Sequence, residues 1–444
     1  MAQRAREAAF EALMGVEVRG AYSNILLGHL LSREEMPGRE KALASRLFYG
    51  VLEKQILLDY NLTRYAQRPL REVEPGVRVL LRLGLYQLLF VQSIPPSAAV
   101  NESVRLCREK GFSRSTGFVN GILRAAAREG RVLLPEQRKG KMKYLSVRYS
   151  CPEKLVRLWR DAYGEALLLR ILQAIEGQPP LFLRVNPLKT TAEALRERLG
   201  RAGHPAENCP GLPNALCLRE GGGVEQWEAY REGLFHVQDF SSQLCCRMLG
   251  AKPGETVLDV CAAPGGKSFT IAEEMENRGQ VFSGDLYAHR LQLVETGAAR
   301  LGLTAVQTVE ADAGVYEGWP MADRILCDVP CSGLGIIRRK PELMLKEDLG
   351  LESLPPVQYR ILCRSASFLK PGGVLVYSTC TLHPAENEAV IARFLEEHPA
   401  FSPRALPLPE GVGRMREEEP HCCTLFPMRE GGDGFFIASV RRDS

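Results

Sequence analysis

Between Val257 and Ser268 the chain reads Val-Leu-Asp-Val-Cys-Ala-Ala-Pro-Gly-Gly-Lys-Ser, and few folds accommodate that order of residue types. Val257, Leu258 and Val260 give a short apolar run suited to a buried parallel strand. Pro264-Gly265-Gly266 then supplies a backbone that turns sharply with no Cβ in the way at its two glycines. From Lys267 to Glu274 the pattern is helical. A strand feeding a glycine turn and a helix N-terminus is the opening unit of a nucleotide-binding α/β sheet, with backbone N–H groups at the carboxyl end of the strand. The loop lacks G-x-G-x-x-G, and Gly-Gly-Lys-Ser has no glycine five residues before Gly266, so neither phosphate-binding motif fits.

Beyond Val237 strands and helices alternate, the pattern of a doubly wound parallel sheet. The spacing predicts strands at Thr256–Val260, Val281–Asp285, Val306–Glu310, Arg324–Asp328 and Val374–Ser378, and a late pair near Thr424–Phe426 and Phe435–Val440 that would close the sheet as an antiparallel hairpin. In such a sheet the ligand lies across the carboxyl ends of the strands. Asp285, Asp312 and Asp328 stand at or just past three successive strand ends. Asp285 could accept both hydroxyls of a ribose, and Asp312 could accept from an adenine amine. A lone strand-end Asp is more often a turn residue, but three in succession behind the Cys261–Lys267 loop point to a ligand. The fourth strand runs into Asp328-Val-Pro-Cys-Ser-Gly333 and the fifth into Tyr377-Ser-Thr-Cys-Thr-Leu-His-Pro-Ala-Glu-Asn-Glu388. Cys331 and Cys380 thereby reach the same face, on adjacent strands about 5 Å apart.

The first third is different. From Ala2 to about Arg131 apolar residues recur at spacings of three and four, as in Ala8-Phe10-Leu13-Met14 and Val79-Leu80-Leu83-Leu85-Tyr86-Leu89, and breaks at Pro37-Gly38, Pro75-Gly76 and Pro95-Pro96 predict an all-α bundle of six or seven helices. Charge divides the same way. Residues 1–143 carry 24 Lys+Arg against 14 Asp+Glu, a net of +10, within a chain whose total is +4. A basic module on a mildly acidic remainder suggests a polyanionic partner. After a linker holding Lys139-Gly-Lys-Met-Lys143, a strand at Leu181–Pro187, a capped helix from Thr191 and a weak strand near Ala215–Leu218 predict a small α+β module. The expected domains are 1–143 helical with linker, 144–236 α+β, and 237–444 the α/β sheet.

Thirteen cysteines without C-x-x-C spacing read as reduced thiols in the cytoplasm, not as a disulfide framework. His421-Cys422-Cys423 and Cys245-Cys246 lack ligand spacing, so no metal is expected. No run approaches the roughly 18 apolar residues of a membrane helix, so no membrane is expected either.

Several stretches carry resemblances. Pro95-Pro-Ser-Ala-Ala-Val-Asn-Glu-Ser-Val-Arg and Gly117-Phe-Val-Asn-Gly-Ile-Leu-Arg124 resemble the NusB family of RNA-binding helical domains, which implies RNA or protein docking over roughly the first 130 residues. Arg184-Val-Asn-Pro-Leu-Lys and Gly233-Leu-Phe-His-Val-Gln-Asp-Phe-Ser-Ser242 resemble the approach to the catalytic domain of RNA cytosine-5 methyltransferases. Pro330-Cys331, Thr379-Cys380 and the Ala-Pro-Gly-Gly-Lys loop resemble that family closely, and with the NusB-like front end nearly the whole chain is similar to its members acting on small-subunit (16S) ribosomal RNA. Ser268 and Thr381 stand where Thr and Ser are expected, and Pro341-Glu-Leu-Met-Leu345 where the family tends to Pro-Asp and a nearby Trp.

The resemblance implies S-adenosylmethionine (SAM) as cofactor, held by Cys261, Ala262, Ala263, Pro264, Gly265, Gly266 and Lys267 with Asp285, Asp312 and Asp328. It implies that Cys380 attacks carbon 6 of cytosine, that Asp328 meets the ring nitrogen, and that Cys331 helps remove the carbon 5 proton. The expected partner is 16S rRNA before full subunit assembly, with the protein a monomer. Arg338-Arg339-Lys340 are candidate phosphate contacts. A SAM methyltransferase acting on tRNA or protein with structural cysteines, and a non-catalytic RNA-binding assembly factor, are the alternatives.

Overall fold

The helical periodicity of the first third and the strand–helix alternation of the last are both realised in a computed structural model of the chain, which describes residues 2–19, 27–28, 30–31, 36–219, 221–410, 412, 419–428 and 431–444. Two compact units emerge: Met1–Glu176 together with Ile337–Glu347, and Gly177–Ile336 together with Asp348–Ser444.

Among the described residues the first unit is helical, with α1 (Ala2–Arg19), α2 (Gly38–Glu53), α3 (Gln55–Ala66), α4 (Pro75–Phe90), α5 (Pro96–Glu109), α6 (Thr116–Glu129), α7 (Lys141–Tyr149) and α8 (Glu153–Ala174). Helix α4 starts at a proline, whose missing N–H has no intrahelical partner at that position anyway, and is buried nearly all round from Gly76 to Gln87. It is the central element of the helical core. Not all the positive charge reaches the surface. Arg6 and Arg82 are buried, and the Arg82 guanidinium is met by Asp59 at 2.6 and 2.7 Å and by Glu17 at 2.9 Å. Burying it therefore leaves no naked charge. Helices α7 and α8 belong to this compact unit, whose first segment ends at Glu176.

In the second unit, β1 (Leu181–Val185), β2 (Glu207–Cys209), β3 (Leu212–Leu218) and β4 (Phe235–Val237) form an antiparallel sheet in the order β2-β3-β1-β4. Helix α9 (Ala192–Arg201) is capped by Thr191, whose hydroxyl accepts from Ala194 N. The expected α+β module is present, with two strands, β2 and β4, that three-residue lengths concealed.

The larger sheet contains β5 (Thr256–Asp259), β6 (Gln280–Asp285), β7 (Val306–Glu310), β8 (Ala322–Asp328), β9 (Leu369–Thr379), β10 (Phe401–Pro403), β11 (Cys422–Leu425) and β12 (Phe435–Arg442). Its order is β10-β12-β9-β8-β5-β6-β7, with β11 on β12. Strands β5 to β9 are mutually parallel, β12 runs antiparallel to β9, and β11–β12 is the anticipated closing hairpin. Chain order reverses between β5 and β8, so the crevice at their carboxyl ends is the switch point where such sheets bind ligands. No helix among the described residues is long and apolar enough to cross a membrane.

Candidate active site

The loop after β5 enters helix α10 (Gly266–Glu274) at the switch point. Gly265 has φ +109°, and a Cβ there would lie 2.4 Å from the Phe269 ring; only glycine lets the helix begin that close to its own second turn. Asp259, at the end of β5, is fully buried and accepts from Ser268 Oγ at 2.7 Å, and Ser283 Oγ donates to Ser268 Oγ at 2.8 Å. Burial outweighs the Ser268 hydrogen bond and pushes this carboxyl up to about 7. A raised acid ionises first in the unfolded chain, so its contribution to stability is intact below about pH 4 and is lost as pH rises toward 7. Urea unfolding of Asp259→Asn beside wild type should show the gap moving in favour of the variant by on the order of a few kcal/mol across that window. A gap independent of pH would mean that Asp259 is ionised in the fold.

Asp285 ends β6 nearly buried. It accepts from Tyr287 N at 3.2 Å and from Arg290, whose second amino group donates to the Ala263 carbonyl at 2.8 Å. Arg290 thus ties the acid to the Cys261–Lys267 loop. Asp312 lies two residues beyond β7, exposed, with one oxygen accepting from Gly314 N in its own turn. Leu286 follows Asp285 and is 50% exposed, an apolar face next to that acid which sequence reasoning passed over because a single exposed Leu carries no signal.

Strand β8 delivers Asp328 opposite Ser378 of β9. Ser378 Oγ donates to Asp328 Oδ1 at 2.8 Å, and Lys267 Nζ lies 2.7 Å from Oδ2. Burial alone would lower the Lys267 ammonium, but the Asp328 carboxylate outweighs it and holds the group well above its ordinary value. The pair presents one fixed anion and one fixed cation to the crevice.

Past these strand ends, Cys331 Sγ and Cys380 Sγ lie 3.3 Å apart. The hydrogen bond with Cys380, reinforced by burial, holds the Cys331 thiol well above the usual value. Neighbouring cysteines are unsuited to attack. Burial pushes Cys245 and Cys327 up to about 12 and Cys261 well above its ordinary value, so these remain thiols. Gly335 brings the Cys331 loop against the Cys380 turn: its N–H donates to the Cys380 carbonyl at 2.9 Å, and a Cβ there would lie 2.0 Å from the Gly434 carbonyl oxygen. Of the basic triplet beyond, Arg338 is 5% exposed and therefore does not offer its charge to solvent; Ile337–Glu347 packs within the helical unit.

A parallel sheet with a glycine-loop switch point, strand-end acids and two juxtaposed thiols defines a Rossmann-like methyltransferase. Comparison places it more narrowly. Residues 246–441 match the 16S rRNA methyltransferase RsmB/F family, residues 3–128 the NusB family, and residues 151–225 the RsmF/B-like ferredoxin-like domain. The chain is 39% identical over 451 residues to the "probable ribosomal RNA small subunit methyltransferase B" of Bacillus subtilis, covering 98% of each chain. It is 33% identical over 439 residues to the ribosomal RNA small subunit methyltransferase B of Klebsiella pneumoniae, covering 98% of this chain and 97% of that one. The crystal structure of PH0851 superposes with a TM-score of 0.84 at 25% identity over 99% of both chains. The chain belongs to the RsmB/F family of 16S rRNA methyltransferases.

Proposed function

We propose that this protein transfers a methyl group from SAM to carbon 5 of a cytosine in 16S rRNA, through a transient bond from Cys380 to the base. The observation that carries the reading is the pair of sulfurs 3.3 Å apart beside the Lys267–Asp328 ion pair. Carbon 5 of cytosine is a poor nucleophile until something adds to carbon 6, and a thiolate does this. The crevice fits SAM by its donors and acceptors: Asp285 for the ribose diol, Asp312 for the adenine amine, Leu286 for the adenine face, and the loop from Cys261 to Lys267 for the methionine moiety. When bound, SAM supplies an electrophilic methyl group.

The protein's own groups account for the rest. Either sulfur can donate across the 3.3 Å contact; in this reading Cys331 donates, Cys380 loses its proton to water, and the Cys380 thiolate attacks carbon 6. The Lys267–Asp328 pair meets the ring's polar edge and stabilises charge as it develops there. Once Cys380 is tied up in a carbon–sulfur bond, the neighbour that most holds the Cys331 proton is gone, so Cys331 can lose it to water and act as base on carbon 5. The target base must leave its stack, at a cost of a few kcal/mol, which favours a loop or an opened helix in rRNA not yet fully assembled. The basic helical unit supplies RNA affinity, and the free thiols suit the cytoplasm.

The decisive test is methyl transfer from labelled SAM to 16S rRNA, followed by bisulfite mapping of the product. Methylation at a position other than cytosine carbon 5 would overturn the reading. Asp285→Ala should weaken SAM by about 1.5 to 3 kcal/mol in calorimetry, the range for a hydrogen bond to a charged group. The Arg290 side chain left behind is 43% exposed and stays solvated, so the variant should melt near wild type. Unchanged SAM affinity would remove Asp285 from the site.

A further inference from the structure

Both sulfurs sit beyond their strands, on turns, so sheet pairing alone does not fix the distance between them. A buried carboxylate does. Glu386 is fully buried, and its Oε2 accepts from the Ser332 backbone N–H at 2.9 Å and from Gln358 Nε2 at 2.8 Å. Its Oε1 accepts from the Ser332 hydroxyl and lies 3.1 Å from His383 Nδ1. Gln358 Nε2 also donates to the Pro330 carbonyl at 2.9 Å. Pro330 and Ser332 flank Cys331, so both its neighbours are pinned to one carboxylate–amide pair.

The other sulfur is tied to the same cluster. Ser332 Oγ lies 2.7 Å from Thr381 Oγ1, and the Thr379 hydroxyl and Thr381 carbonyl are held by Asn387 at 2.6 and 3.0 Å. Thr379 and Thr381 flank Cys380. The Tyr377 hydroxyl donates to the Glu386 carbonyl at 2.6 Å, which anchors the carboxylate's own backbone to β9. Hydrogen bonds to an ionised acceptor are the strong ones, and both oxygens here are occupied by donors from the Cys331 side. Buried and met at both oxygens by donors from the chain itself, the Glu386 carboxylate serves the turn it holds.

We propose that Glu386 is a positioning residue for release of the methylated base, setting the Cys331 sulfur, through Ser332 and Gln358, where it takes the carbon 5 proton. The inference rests on the covalent reading above. In that step the Cys331 thiolate takes the proton from carbon 5. The carbon–hydrogen electron pair becomes the carbon 5–carbon 6 double bond, and the Cys380 sulfur leaves carbon 6 with its bonding pair as thiolate.

The test uses full-length protein, 16S rRNA and labelled SAM. Glu386→Gln keeps the shape but turns one acceptor into a donor facing donors. It should lower kcat about 100-fold, the cost of misplacing a reacting group by about 1 Å. KM for SAM should stay unchanged, and a denaturing gel should show protein trapped on RNA. Ser332→Ala, the milder lesion, should lower kcat about tenfold, as expected for one lost hydrogen bond, with the same trapped band; it decides the matter if Glu386→Gln does not fold. Wild-type turnover in the variants, or turnover and adduct formation falling together with no trapped band, overturns this proposal alone. Absence of carbon 5 methylation by the wild-type protein overturns both it and the covalent reading.

Discussion

Cys380→Ala protein should form no covalent adduct with RNA and transfer no methyl group, a loss on the order of 10⁴-fold or more, as for removal of other enzymic nucleophiles. Cys331→Ala should still add to carbon 6 but stall, leaving protein attached to RNA. The asymmetry follows from the protonation of the pair. In the proposed reading Cys331 donates across the 3.3 Å contact and keeps its proton, while Cys380 gives up its own and attacks. A denaturing gel with labelled RNA and SAM reads the outcome directly, with a shifted band for Cys331→Ala and none for Cys380→Ala. The opposite pattern would exchange the two roles, and intact methylation without a band from either variant would sink covalent catalysis.

Asp328→Asn should lower methyl transfer about 10²- to 10³-fold, the usual effect of removing one preorganised group that stabilises developing charge. Asn preserves the shape and can still accept from Ser378, so the lesion is confined to charge. It also strips Lys267 of the anion that keeps its ammonium charged against burial. The cation therefore weakens with the anion, and Lys267→Met should reproduce much of the loss. Single-turnover methyl transfer at saturating SAM is the measurement. Full activity in Asp328→Asn would show that the carboxylate only anchors Lys267.

Much of this site was legible because it lies where chain direction and pairing are set by local pattern. Thr256–Asp259 and Arg324–Asp328 are short runs ended by an acid, and strand–helix alternation implies parallel strands with the fourth and fifth as neighbours, so the adjacency of Cys331 and Cys380 could be stated before any distance was known. The ion pair was less visible. Lys267 and Asp328 were both named, Lys267 in the cofactor loop and Asp328 for cofactor and base, but not as partners, because no periodicity links the first turn of a helix to the end of a strand 61 residues away. Glu386 and Gln358 went unread for a related reason. In sequence they are a polar residue in a short 3-10 turn and one in an amphipathic helix, and only burial reveals that both face the turn around Cys331. Arg338 shows the reverse error. Three consecutive basic residues read as phosphate contacts, yet the segment from Ile337 packs into the helical unit and Arg338 goes under with it.

That segment has a consequence for anyone wishing to take the protein apart. Ile337–Glu347 leaves the Cys331 turn, packs with the helical unit, placing Leu345 against its core, and returns to the second unit at Asp348. A cut at residue 176 therefore does not yield two self-sufficient pieces. The carboxyl-terminal piece would carry an apolar strip, Leu343, Met344 and Leu345, stripped of its cover, and that strip hangs from the loop that bears Cys331. Mixed in a tube, the two fragments are expected to find each other through that strip, as a split enzyme does.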